Sequence, residues 1–188
     1  MLVIGLHGAA GAGKDTLAKV YRSTYENAYS VAFADPLRAM ISTLGVSIES
    51  MLDPEKKNDP EYGFLGKSPR YLLQTLGTEW GRNLVDSDIW VKRAKQRIDE
   101  AEKMDFNLAF VTDCRFDNEA DAIHAWGGKV IKIIRENQKY TDKVDNGGVS
   151  KHPSEAGISL DKIDFTIYNN SKIEDMVARF NEYVEFIR

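Results

Sequence analysis

Apolar residues along the chain fall into two alternating rhythms. Five short runs are almost continuously apolar and read as strands covered on both faces: Leu2–Leu6, Tyr29–Ala34, Leu108–Thr112, Lys129–Ile134 and Phe165–Tyr168. Between them the apolar positions recur at helical spacing. Leu17, Val20 and Tyr21 share a face after Lys14. Asp35-Pro36 reads as a cap followed by proline in the first turn, opening a helix with Leu37, Met40, Ile41 and Leu44 on one side before Gly45. Ser68-Pro69 opens a further helix with Leu72, Leu73 and Leu76, and Asp88 precedes a long one to about Met104. Glu119–Trp126 reads as a helix stopped by Gly127-Gly128. Ser171 with Glu174 three residues later is a capping-box pattern for the last helix, whose face is Ile173, Val177, Phe180, Val184 and Ile187. Strands alternating with helices predict a parallel, doubly wound α/β sheet. Two polar stretches, Ser47–Lys67 and Glu136–Lys151, break the rhythm and read as long loops.

The first strand runs into Gly8-Ala9-Ala10-Gly11-Ala12-Gly13-Lys14, the pattern G-x-x-x-x-G-K. This composition suits an anion. Glycines let backbone N–H groups turn inward, and the following helix N-terminus adds partial positive charge. A lysine at the end of such a loop reaches β and γ phosphates. The residues expected to hold the triphosphate are Gly8, Ala10, Gly11, Ala12, Gly13, Lys14, Asp15 and Thr16. Asp15 stands where a hydroxyl residue ordinarily ligates Mg²⁺. Its carboxylate is also a hard oxygen ligand, so Asp15 is the candidate for the Mg²⁺ shell, and Thr16 for a phosphate contact.

Leu108–Asp113 is an apolar strand ending in a carboxylate, the placement of a Walker-B acid, and Arg115 follows at once. Asp35, Arg38, Asp113, Arg115 and Arg135 all fall at or just beyond the carboxyl ends of the expected strands, where open α/β sheets bind ligands. So many cations at one rim suggest two phosphorylated molecules rather than one. Arg70, Gln74, Thr78 and Arg82 are spaced four apart and so share a helix face. Trp80 and Trp90 are candidates for stacking on a base, against the commoner role of packing.

Bulk properties narrow the classes. In 188 residues, one domain is the expectation, and a net charge of −4 gives no whole-chain field for a nucleic-acid polymer. The one cysteine, Cys114, excludes an intramolecular disulfide and reads as a small packed residue. No run of about 18 apolar residues is present and the N-terminus has no basic leader pattern, so neither a membrane partner nor secretion is expected and the cytoplasm is the expected location. No Asn-Lys-x-Asp guanine signature appears.

Taken together, GAGKDT, FADPLR (Phe33–Arg38), LLQTLGTEWGR (Leu72–Arg82), DIW (Asp88–Trp90), TDCRFDNEA (Thr112–Ala120) and HPSEAGI (His152–Ile158) resemble the deoxynucleoside monophosphate kinases of bacteriophages. The resemblance implies a P-loop, NMP-kinase-like three-layer α/β fold with a five-stranded parallel sheet in the order 2-3-1-4-5. Within one kinase domain, residues 1–188, it implies a nucleoside-monophosphate-binding helical region at about 36–105 and a lid at about 135–152. It implies transfer of the γ-phosphoryl of ATP to a dNMP with Mg²⁺, in the host cytoplasm for a phage protein. By motif, Asp35, Arg38, Arg70, Gln74, Thr78, Arg82, Trp90, Asp113, Arg115 and Glu155 would hold the acceptor. Lys14, Asp113, Arg115 and Arg135 would act at the transferring phosphate. The expected partners are therefore small nucleotides; a homodimer is compatible with the sequence. Parts of the pattern also resemble animal phosphomevalonate kinases. A regulator that binds a nucleoside triphosphate without a second substrate is the rival from another class.

Overall fold

The computed structural model describes residues 1–25, 27–136 and 157–187. Its sheet has five parallel strands: β1 (Leu2–His7), β2 (Ala28–Val31), β3 (Leu108–Val111), β4 (Lys129–Ile134) and β5 (Phe165–Tyr168). Their order is β2-β3-β1-β4-β5, with β1 central, which is the P-loop, NMP-kinase-like arrangement. Ile4 pairs with Phe110 and with Lys129, and Ile134 with Tyr168. This register brings the ends of β1, β3, β4 and β5 to a single carboxyl rim.

The chain divides into two compact units. The first comprises residues 1–32 and 95–188 and contains the sheet. Strand alternation sends Ile4 and Leu6 to one face and Val3 and Gly5 to the other. On the first face, α1 (Lys14–Thr24) and α7 (Ile173–Ile187) close the core. Tyr21, Phe110 and Phe180 meet there with ring centroids 5.2–5.5 Å apart, and Phe110 and Phe180 have no exposed surface. On the other face α6 (Asp117–Ala125) presents Ile123, packed so closely that a β-carbon on Gly5 would lie 2.5 Å from its Cδ1. Helices thus cover both faces, as the continuous apolar runs require.

The second unit, residues 33–94, is helical. It holds α2 (Asp35–Ser42), the short α3 (Ile48–Leu52) and α4 (Pro69–Gln74), which runs on as a π-helical stretch, Thr75–Val85. Its core joins Ile41, Val46 and Met51 to Leu72, Leu73 and Leu76. The chain then enters α5 (Ile89–Glu102).

Several expectations are corrected. Ser47–Lys67 is not a plain loop. Ser47 caps α3 through the Ser50 N–H at 3.0 Å, a single 3₁₀ turn spans Pro60–Tyr62, and Phe64 and Lys67 pair with each other. A five-residue helix has too few apolar positions to print a period. β2 ends at Val31 rather than Ala34, and α2 begins at Asp35 itself, so Asp35 is not the cap. Met40 and Leu44 are exposed while Leu37 and Ile41 are buried. α7 starts at Ile173, two residues after the Ser171 of the capping-box pattern. The expected second polar loop and the lid lie, apart from Arg135 and Glu136, outside the described residues, as do Glu155 and most of HPSEAGI. Among the described residues no helix is long and apolar enough to cross a membrane.

Candidate functional site

β1 ends at His7, and the chain turns at Gly8 with φ of 145°. Only glycine adopts that backbone without strain, and a β-carbon here would run into the Ile133 carbonyl of β4. The loop closes through Ala12 N–H donating to Ala9 O at 3.1 Å. Gly13, with φ of 110°, hands the chain to α1, whose first bond is Leu17 N–H to Gly13 O at 2.9 Å. The helix N-terminus therefore opens onto the loop, where its N–H groups and dipole favour an anion.

Lys14 folds back across this loop. Its Nζ donates to Gly8 O at 2.6 Å and to Ala9 O at 2.8 Å. The ammonium is thereby held at the loop mouth by the turn's own carbonyls. A cleft of about 220 Å³ opens beside it, lined by Lys14, Asp15, Thr16, Arg135, Asn169 and Ser171 among others. That is several times a water's share of liquid volume, about 30 Å³, and is room for phosphate groups. Asp15 and Thr16 are exposed and offer hard oxygen donors there. Among the described residues no cluster of three or more His, Cys, Asp or Glu side chains is suited to a metal ion. For a magnesium ion, a hard cation that takes oxygen ligands, Asp15 is the side chain there that fits.

The corner after β3 is pinned to the strand that feeds the loop. Cys114 N–H donates to Leu6 O at 3.2 Å, and His7 Nδ1 lies 3.0 Å from Cys114 O. Asp113 is buried beside this turn, while Arg115 is exposed. The turn is held from below by Glu119, itself buried, whose carboxylate accepts from Arg115 N–H at 2.7 Å and Phe116 N–H at 3.1 Å. Burial, with the carboxylates of Glu119, Asp113 and Asp117, pushes the Cys114 thiol far up, so it stays protonated and packed, as its setting in the sequence suggested. His7 is held below its ordinary value, first by burial; the Cys114 carbonyl opposes this, and Lys132, Lys14 and Arg115 add to it.

The helical unit places the remaining residues among themselves. Asp35 and Arg38 form an ion pair at 2.9 Å within the first turn of α2. Arg70, Gln74, Thr78 and Arg82 are all at least half-buried, whereas Tyr71, Thr75, Glu79 and Asn83 are exposed. The four-residue series is thus the more inward face of the helix, with the guanidinium bonds of Arg70 and Arg82 at its exposed edge. The π-helical winding contributes: each turn takes in more residues than the α-helix's 3.6, so positions four apart drift less. Arg70 donates to Asn58 Oδ1 at 3.2 Å and Arg82 to Ser87 O at 3.1 Å. Trp90 is 5% exposed; its Nε1–H donates to Gly77 O at 2.8 Å, and its ring occupies the space left by the missing side chain of Gly81. This geometry makes Trp90 a packing residue of the π-helical turn, and base stacking is not the role it supports.

Three groups at the rim escaped the sequence reading. His7 and Glu119 looked like a strand end and a helix acid. Asn169, just beyond β5, donates from Nδ2 to Ala12 O at 2.8 Å. The only signal for it was a pair of amides, Asn169-Asn170, directly after an apolar strand.

Comparison with known proteins bears on what this rim does. The chain is 29% identical over 233 residues to the deoxynucleoside-5'-monophosphate kinase of Escherichia phage T5, covering 89% of each. Similarity at 29% identity also spans 98% of the chain and 97% of a protein from Acanthamoeba polyphaga mimivirus. The crystal structure of TT1252 from Thermus thermophilus superposes with a TM-score of 0.52 at 15% identity, covering 100% of this chain and 98% of that one, a likeness of fold alone. The family model for deoxynucleotide monophosphate kinase matches residues 66–180, a span that takes in the π-helical turn, the Asp113–Arg115 corner, Arg135 and the Asn169 amide. With a phosphate loop at its first strand–helix junction and that match over more than half its length, this chain belongs to the deoxynucleotide monophosphate kinase family.

Proposed function

We propose that the protein transfers the γ-phosphoryl of ATP to a deoxynucleoside monophosphate, giving ADP and dNDP. One observation carries the reading: in a member of this family, Lys14 stands at the mouth of a phosphate loop on the same sheet rim as Asp113, Arg115 and Arg135.

Phosphoryl transfer asks little covalent chemistry of a protein; it asks for positioning and for charge neutralisation. Gly8, Ala10, Gly11, Ala12 and Gly13 would wrap the β and γ phosphates with backbone N–H groups, and Thr16 would add its hydroxyl. Lys14 would exchange its bonds to Gly8 O and Ala9 O for phosphate oxygens. Arg115 and Arg135, both exposed, would neutralise charge developing on the transferring group. Asp113 would orient the acceptor or the water around the metal. Asp15 would help to hold Mg²⁺, which would supply further charge neutralisation when bound.

For the acceptor we assign the helical region at about 36–105, with Asp35, Arg38, Arg70, Gln74, Thr78 and Arg82 as the contacting set. The inward face of the last four supports this assignment, and Trp90 serves it by shaping the turn.

A coupled assay of ADP release with a panel of dNMPs, NMPs and phosphomevalonate tests the proposal. Release that depends on a deoxynucleotide acceptor supports it. Release with phosphomevalonate alone would point to the small-molecule kinase reading, and release with no acceptor to a nucleotide-driven regulator.

A further inference from the structure

We propose that the adjacent amides Asn169 and Asn170 are positioning residues that hold Arg135 in register with the phosphate loop. The inference rests on the kinase reading above and adds a device to it.

Asn169 N–H donates to Ile134 O at 2.7 Å, continuing the β4–β5 pairing one step past the strands. Asn170 Oδ1 accepts from Glu136 N–H at 3.0 Å, and its Nδ2 donates to Glu136 Oε2 at 2.8 Å. The residues on either side of Arg135 are thus tied to the same dipeptide: Ile134 through its carbonyl, Glu136 through its N–H. Successive side chains of an extended segment point to opposite sides. Asn169 accordingly turns the other way and donates from Nδ2 to Ala12 O at 2.8 Å, in the crest of the loop.

Gly13 completes the device. A β-carbon there would lie 2.5 Å from Asn169 Nδ2, so the amide occupies space that only glycine leaves. The glycine before Lys14 has two duties, a backbone with φ of 110° and room for the amide. Arg135, Lys14 and Asn169 then line one cleft. Two asparagines convert the pairing of β4 with β5 into a set distance between the loop's ammonium and the guanidinium of Arg135. Small displacements at such a site cost large factors in rate.

The test uses the full chain and two readouts: steady-state kinetics, and titration with a fluorescent ADP analogue. Asn169→Leu keeps the approximate size and removes the donor without adding charge; it should weaken analogue binding about tenfold. Asn170→Ala changes an exposed side chain. It should lower kcat about tenfold in the wild-type background and have no further effect in an Arg135→Ala background, because it acts through Arg135. Equal losses in both backgrounds would overturn the inference, as would analogue affinity within twofold of wild type in Asn169→Leu. Should Asn169→Leu fail to fold, the Asn170 cycle decides alone. Failure of the kinase reading is distinguishable: wild type would then phosphorylate no dNMP, while the analogue titration would still report on the amide's hold on the loop.

Discussion

Replacing Lys14 by alanine is the sharpest perturbation of the donor site. The lysine makes two charge-assisted bonds, 2.6 and 2.8 Å, to the carbonyls of Gly8 and Ala9. Its side chain is half-buried at the loop mouth and takes no part in the hydrophobic core around Leu17 and Ala18. Stability should therefore fall by only about 1 kcal/mol, since hydrogen bonds at a wet site are largely replaced by water. Catalysis should fall far more. A unit charge about 4 Å from a phosphate oxygen at an effective dielectric near 20 contributes about 4 kcal/mol. Loss of one preorganised donor at developing charge costs about 3–4 kcal/mol in measured cases. At 1.36 kcal/mol per decade, both figures correspond to about a 10²–10³-fold loss of kcat. Thermal unfolding and coupled kinetics on the same preparation separate the two effects. A tenfold or smaller loss of kcat, or a collapse of the fold, would refute the assignment of Lys14 to the transferring phosphates.

Glu119→Ala should cost about 2–3 kcal/mol in urea unfolding, because the N–H groups of Arg115 and Phe116 lose their carboxylate acceptor; kcat should also drop as the Asp113–Arg115 corner loosens. His7 is held neutral by burial, so the folded state binds fewer protons than the unfolded chain, and stability rises with pH. The His7 contribution should be complete above its ordinary value of 6.5, decline as pH falls through 6.5 toward the lowered folded value, and level off below it. Urea midpoints from pH 5 to 8 in wild type and His7→Asn should show that component only in wild type. Trp90→Phe should cost about 1–2 kcal/mol through loss of the bond to Gly77 O, while the acceptor KM stays near wild type; a large rise in KM without loss of stability would restore a base-stacking role.

Much of the fold was legible because its signals are local. The continuous apolar strands gave all five members of the sheet, and β4 and β5 fall on the expected residues. The P-loop was readable because G-x-x-x-x-G-K falls between an apolar strand and an amphipathic helix at the first strand–helix junction. What stayed hidden depends on contacts distant in sequence. Asn169 reaches Ala12 across 157 positions, and Cys114 meets His7 across 107. Helix α3 is too short to show a period, and the π-helical winding after Thr75 leaves no mark that distinguishes it from α. Trp90 was ambiguous for a related reason. Its partner glycines, 77 and 81, are visible as residues, but their spacing becomes a slot for an indole only after the helix is wound.

The most direct test of the account is the fate of the label from [γ-³²P]ATP incubated with the protein, Mg²⁺ and a dNMP. Direct transfer at the rim predicts label in dNDP, equal in amount to the ADP formed. Label released as inorganic phosphate, with the dNMP untouched, would contradict it.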